Sequence, residues 1–425
     1  MAGKINRQTG AVAALILLSL ALAACQPVTS GSGALDSAVT FTRPVMAEIP
    51  TPATYRIGIN TEVTGTGAQI GDLSIRAARL AIEEINQAGG VNGIPLELVV
   101  RDARSNPQTA LEQYRQAVAE DDLDALLGPF KSAYGVLIVP AHRDTSLPMF
   151  IGATNATLTQ QGVANLFRMR PSDRLTAPAM LTFAVDKLGA QRIGIIHDTD
   201  AFGAGGADRI VGELNRRGLR VAARLGYTTG AKDFDTLVQR LAEANVDAVL
   251  IYGTNQTDVG RLLRAVRYWD LDVPIVTSPS GSSTITAYVA ADAQDDIYVT
   301  LDAQLAATPR GREYLQAFDQ RFGLSPDTYI AWYYDAVYLL TNIWQKHPDA
   351  RNEALSRLIR ASAFEGVQGN YCFDAAGEGL HVITLAQMKN GQAIPAGIYT
   401  ENGQLVDSSD TVAAQRAACL PETAR

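Results

Sequence analysis

From Tyr55 onward, short β-branched runs alternate with longer amphipathic stretches, and no other feature of the chain limits the fold as much. Tyr55 to Asn60, Leu96 to Asp102, Ala125 to Gly128, Leu147 to Ile151, Arg192 to His197, Val221 to Leu225, Ala248 to Tyr252 and Pro274 to Thr277 read as strands. The spacing predicts helices between them. The first runs from Ala68 to Gln87: Ile75, Ala78, Ile82 and Ile85 recur at helical steps, Arg76, Arg79, Glu83 and Glu84 take the other side, and Gly89-Gly90 supplies a stop. Further helices follow Pro107, Ser132, Ser172, Phe202, Asp233, Gln256 and Ser282. Strands separated by helices of about ten or more residues build βαβ units, hence parallel sheets covered on both faces. Two such runs, at about 55–170 and about 190–300, each have single-domain size, and the roughly 370 residues involved exceed what one core usually supports. The expected class is α/β, with two doubly wound parallel-sheet lobes. After Leu301 the pattern predicts helices over Arg310 to Phe322, Pro326 to Lys346 and Ala350 to Ala361, then strands at Tyr371 to Phe373, Val382 to Met388 and Ile394 to Tyr399. Asn390-Gly391 is a hairpin signal between the last two.

The N-terminus reads as export machinery rather than fold. Lys4 and Arg7 precede an uncharged apolar run from Ala11 to Ala24, which stops at Cys25. As a helix it reaches only about 21 Å, short of the roughly 30 Å a bilayer core demands. Leu22-Ala23-Ala24-Cys25 resembles the lipobox of bacterial lipoproteins, which implies cleavage of residues 1–24 and lipidation of Cys25. Residues 25–53, rich in Ser, Thr, Gly and Pro, then form a tether, and the body faces the periplasm or cell exterior on a lipid anchor. The formal charge of −8 opposes nucleic acid or anionic lipid as the main partner. The other two cysteines, Cys372 and Cys419, have two open readings, a disulfide or separate thiols. His142, His197, His347 and His381 are scattered without zinc-ligand spacing, so no metal is expected.

Enzymes also use doubly wound sheets. Their motifs are missing here: Gly65-Thr66-Gly67-Ala68-Gln69-Ile70 has isoleucine where a dinucleotide fingerprint needs glycine, and neither GxxxxGK[ST] nor GxSxG occurs. No reaction and no cofactor are expected.

Several segments, in order, resemble one family. IGINTEVTGTGAQIGDLSIRAARLAIEEINQAGGVNGIPLELVVRDARSNPQTA is similar to the opening of periplasmic binding proteins of the leucine/isoleucine/valine-binding type. ALLGPFKSAYGVLIVP, LPMFIGATNATLT, FRMRPSD, RIGIIHDTDAFGAGGAD, GAKDFDTLVQRLAEANVDAVLIYG, YYDAVYLL and FEGVQGNYCFD follow, covering nearly the whole body. The resemblance implies two lobes joined by three crossovers, with a solute held in the cleft and passed to an ABC permease; a sensory module and, less favoured, an extracytoplasmic enzyme are the rival readings. Mapped onto this chain, lobe I spans residues 54–172 and 302–371, lobe II spans 173–301 and 372–405, and 406–425 is a C-terminal tail.

In open parallel sheets ligands bind beyond the carboxyl ends of strands. Ser132 stands there, where a helix begins; the resemblance implies that its hydroxyl grips a ligand carboxylate, while an ordinary N-cap role is compatible with the same position. Ala153 would contribute backbone and Asn155 side-chain hydrogen bonds, although asparagine replaces the family's threonine and also suits a turn. Phe202 matches an aromatic that covers the ligand, with core packing as the alternative. Tyr252, Thr254, Asn255 and Ser280 end lobe II strands or begin the loops after them, and Asp302 sits at a crossover as a hinge or a contact. Two positions depart from amino-acid-binding relatives. Ser280 lies in SPSG, where those relatives carry a glutamate for the ligand ammonium, and Ile70 replaces a tyrosine. These changes imply an organic acid or amide; Asp200 or Asp258 as a substitute anion would restore an amino acid.

Overall fold

The computed structural model describes residues 54–293, 296–389, 392–406 and 410–419. Cys25, the export signal and the tether lie outside them, as do Asn390 and Gly391. Among the described residues no helix is long and apolar enough to cross a membrane.

The first lobe is built on β1 (Tyr55–Thr61), β2 (Leu96–Asp102), β3 (Ala125–Leu127), β4 (Met149–Ile151) and β5 (Leu166–Arg168), in the order β2-β1-β3-β4-β5. Every pairing is parallel. The connections are α1 (Ala68–Gln87), α2 (Pro107–Glu120) and α3 (Ser132–His142). The apolar stripe of α1 is buried as its spacing predicts, and Gly90 after it holds φ +76°, a conformation that favours glycine. The short β5 lacks the length that would mark it in the sequence.

The second lobe opens with α4 (Asp173–Thr182) and continues through β6 (Ile193–Asp198), α5 (Ala201–Arg216), β7 (Ala223–Tyr227), α6 (Asp235–Glu243), β8 (Ala248–Tyr252), α7 (Gln256–Tyr268), β9 (Ile275–Thr277), α8 (Thr284–Val289) and β10 (Ile297–Leu301). The chain then returns to the first lobe. There α9 (Pro309–Phe322), α10 (Trp332–Lys346) and α11 (Asn352–Ala361) close the core around Tyr55, whose ring stacks on Trp344 at 4.3 Å. The helix expected over Pro326 to Lys346 is divided, because a 3-10 turn at Thr328–Ile330 precedes α10. A small antiparallel pair, β11 (Ala363–Glu365) and β12 (Asn370–Cys372), leads to β13 (Val382–Lys389) and β14 (Gln392–Thr400). These two add an antiparallel edge to the second sheet, whose order is β14-β13-β10-β9-β8-β6-β7.

Two boundaries differ from the sequence reading. Phe373 and Leu380 belong to the core of the first lobe, Phe373 lying against Phe150 and Phe167, so the chain crosses at about Leu380 rather than after residue 371. Buried aromatic area holds the segment there. The expected C-terminal tail is an ordered helix, α12 (Thr411–Ala418). Its buried Gln415 accepts from the backbone N–H groups of His381 and Val382 (both 3.0 Å). Cys372 and Cys419 are joined in a disulfide, their Cα atoms 5.7 Å apart.

Candidate functional site

The carboxyl ends of β3, β4 and β5 face those of β6, β8 and β9 across a narrow cavity. Phe130, Lys131, Ser132, Thr154, Arg170 and Tyr329 wall it from the first lobe; Phe202, Thr254, Gln256 and Ser280 wall it from the second. The space between them is about 30 Å³, room for roughly one water.

Ser132 is the first residue of α3, behind Lys131 in the capping position. Its Oγ accepts from the Asn155 N–H at 3.1 Å. A hydroxyl has one proton and two lone pairs, so that bond leaves the proton for donation. Beside it, Lys131 Nζ lies 2.9 Å from Glu62 Oε1, which also accepts from the Tyr134 hydroxyl at 2.7 Å. Arg170, at the first crossover, pairs through Nε with Asp302 at the second crossover and donates through Nη1 to the Gly152 carbonyl at 3.1 Å. Its guanidinium sits 4.7 Å from the Phe130 ring centre and 5.5 Å from that of Tyr329. Glu62 and Asp302 stand behind the cations and do not line the cavity. The charged groups facing it are therefore both positive.

Four expected contacts go elsewhere. Ala153 has committed its backbone, its N–H donating to Pro129 O at 3.0 Å and its carbonyl accepting from Arg168 Nη1. Asn155 Nδ2 donates to the Ala201 carbonyl at 2.7 Å, so this amide joins the two lobes. Tyr252 is wholly buried behind Phe202, ring centres 4.8 Å apart, and its hydroxyl donates to Asp173 Oδ1 at 2.8 Å. Burial pushes the Asp173 carboxyl up to about 6, although the tyrosine hydroxyl pulls the other way. Asn255 caps α7 by accepting from the Asp258 N–H at 3.1 Å. In each case a backbone group or buried partner near the strand end claims the polar atom first.

Phe202, Thr254 and Ser280 do reach the cavity. Ile70 is in the first-lobe core. Neither candidate substitute anion lines the cavity: Asp200 accepts from the N–H groups of Phe202 and Gly203 and from the Thr254 hydroxyl, and Asp258 accepts from the Gly230 N–H at 2.7 Å. Sequence reasoning missed Phe130, Lys131, Thr154, Arg170, Gln256 and Tyr329. A signal existed for Arg170, since it stands two residues beyond the strand Leu166–Arg168, at the carboxyl end of the sheet where ligands bind. Among the described residues no group of three His, Cys, Asp or Glu is placed to hold a metal ion.

The lobes also touch beside the cavity. Asp327, ahead of α10, accepts from the hydroxyl of Ser283 and from the N–H and hydroxyl of Thr284, at the start of α8. Gln256 Nε2 donates to the Tyr329 hydroxyl at 3.3 Å, and Ile285 packs on the first-lobe core.

A profile described as periplasmic binding protein matches residues 54–393. The leucine-, isoleucine-, valine-, threonine- and alanine-binding protein of Pseudomonas aeruginosa is 29% identical over 327 residues, covering 76% of this chain and 87% of that one. A leucine-binding protein from Thermotoga maritima superposes with a TM-score of 0.74 at 22% identity, over 81% of this chain and 98% of the other. An ABC transporter solute-binding protein from R. palustris in complex with benzoate gives a TM-score of 0.74 at 18% identity, over 84% and 98%. The two structural likenesses bear on the fold.

Proposed function

This chain belongs to the periplasmic binding protein family, and from that premise we propose that it captures a small carboxylate-bearing or amide solute outside the cytoplasm and delivers it to an ABC importer, catalysing no reaction. The observation that carries this reading is the cavity walled by strand-end loops of both lobes. A space of about 30 Å³ is too small for an amino acid, so a solute enters only when the lobes part. Closure around it then completes contacts that neither lobe offers alone.

The walls favour a carboxylate over an ammonium. Lys131, Arg170 and the start of α3 with Ser132 face the cavity, whereas Ser280 brings no charge and Asp200 and Asp258 are occupied by protein donors. A buried ammonium without an anion is unfavourable by several kcal/mol. A thermal-shift screen tests this, because ligand at about 100 times its Kd adds roughly 2.7 kcal/mol to stability. Organic acids should raise Tm in the absence of an α-ammonium; leucine or valine raising it while their deaminated analogues do not would refute the assignment.

The protein is further proposed to be a lipoprotein anchored at Cys25, on the strength of Leu22-Ala23-Ala24-Cys25. Cys25→Ala should move it from the membrane fraction to the soluble one. Retention of the variant in the membrane would exclude lipid anchoring through this residue.

A further inference from the structure

We infer that the solute is an aromatic monocarboxylate, with its carboxylate received by Arg170 and its ring placed among Phe130, Phe202 and Tyr329. This deepens the proposed function and rests on the cleft being the solute site.

The cavity wall contains no Ala, Val, Leu, Ile or Met and no acid; its large apolar groups are the rings of Phe130, Phe202 and Tyr329. Ring faces and edges pack best against another π-system, in offset or edge-to-face arrangements. Arg170 is only 6% exposed, yet it lines the cavity. Nε goes to Asp302 and Nη1 to the Gly152 carbonyl, which leaves Nη2 without an acceptor among the described residues. A guanidinium donor so buried calls for an acceptor from the cavity side. Flanking rings fix the plane of the group and Asp302 fixes its rotation, so it is pre-organised for a planar anion. Lys131, paired with Glu62 at 2.9 Å, is a second cation at the wall, but its flexible stem and point charge give no planar fork, so Arg170 is the directed donor for the carboxylate. The Thr254 hydroxyl donates to Asp200 at 2.8 Å, which leaves the hydroxyl of Ser280 to meet a polar ring substituent.

Calorimetry on the purified mature protein in detergent, with benzoate, cyclohexanecarboxylate, benzamide and L-leucine, tests this. Benzoate should bind at least about 10-fold tighter than cyclohexanecarboxylate, which lacks the ring face, and than benzamide, which lacks the charge, while L-leucine gives no binding. The double variant Arg170→Gln, Asp302→Asn removes the cation without stranding its carboxylate, and should weaken benzoate on the order of 100-fold. Ser280→Trp and Thr254→Trp, each filling the cavity from the second lobe and each checked for an unchanged melting profile, should abolish binding. Benzoate failing to bind, or L-leucine binding tighter, overturns the solute class. Full affinity in the double variant overturns the role of Arg170. If binding survives both tryptophan variants, the cleft itself is the wrong site, and that failure is distinct from the other two.

Discussion

Glu378→Ala is expected to destabilise the protein by about 3–5 kcal/mol, the range for breaking a buried ion pair by removing one partner. Arg168 is completely buried, and its Nε lies 3.0 and 3.2 Å from the two Glu378 carboxylate oxygens. Nη1 and Nη2 hold the carbonyls of Ala153 and Asn155, and Thr159 donates its hydroxyl to Glu378 at 2.6 Å. Removing the carboxylate leaves a guanidinium that carbonyl dipoles alone must neutralise, far from water. The loss falls on the loop that supports Ser132, because the Asn155 N–H bonded to its hydroxyl belongs to the same segment. Urea unfolding should show the midpoint falling with little change in slope, and Tm should drop on the order of 10 °C. A loss under about 1 kcal/mol would mean that water reaches Arg168 or that the carbonyls suffice.

Asp327→Ala should open the unliganded protein and weaken solute binding, although it also removes the acceptor of the Tyr329 hydroxyl (2.6 Å) in the cavity wall. Asp327 is 4% exposed and receives three bonds from the second lobe, at 3.0 to 3.1 Å from Ser283 and Thr284. Those bonds exist only while the lobes are together; in an open form water would take the same positions. Hydrogen bonds to a charged group are worth about 1.5–3 kcal/mol each against water, less when the open carboxylate is well solvated. A latch of even about 2 kcal/mol shifts the closed population some 30-fold, and apparent affinity falls by the fraction of competent protein lost. Solution scattering should therefore give a larger radius of gyration for the variant than for the wild type before solute is added. Calorimetry should give an affinity about 10-fold weaker or more. Thr284→Val, which removes one partner from the opposite lobe, should act in the same direction. An unchanged radius with unchanged affinity would show that Asp327 merely caps α8.

How much of this was legible depended on distance along the chain. The stripe Ile75, Ala78, Ile82 and Ile85 was readable because residues three and four apart share a helix face whatever surrounds it. Strand alternation gave the two lobes in the same way, and the strand-end rule led to Phe202, Ser132 and Ser280. The same rule failed for Ala153, Asn155 and Asn255, each beside a residue that does line the cavity, and for Tyr252, two residues before Thr254. A shift of one residue reverses a side chain's direction, and partners distant in sequence, such as Ala201 and Asp173, decide which way it goes.

The sequence by itself determined the class of fold, the parallel order expected of βαβ units and the edge of the sheets where a ligand belongs, because each follows from local periodicity and connection geometry. Only the tertiary structure decided what the cavity presents. Arg170 meets Asp302 across 132 residues and two crossovers, Asp327 meets Thr284 across the cleft, and Cys372 meets Cys419 through a helix that shows no strong signal in sequence. A buried charge is tolerated only beside its partner, and which partner arrives is set by the packing of whole lobes, which no local pattern encodes.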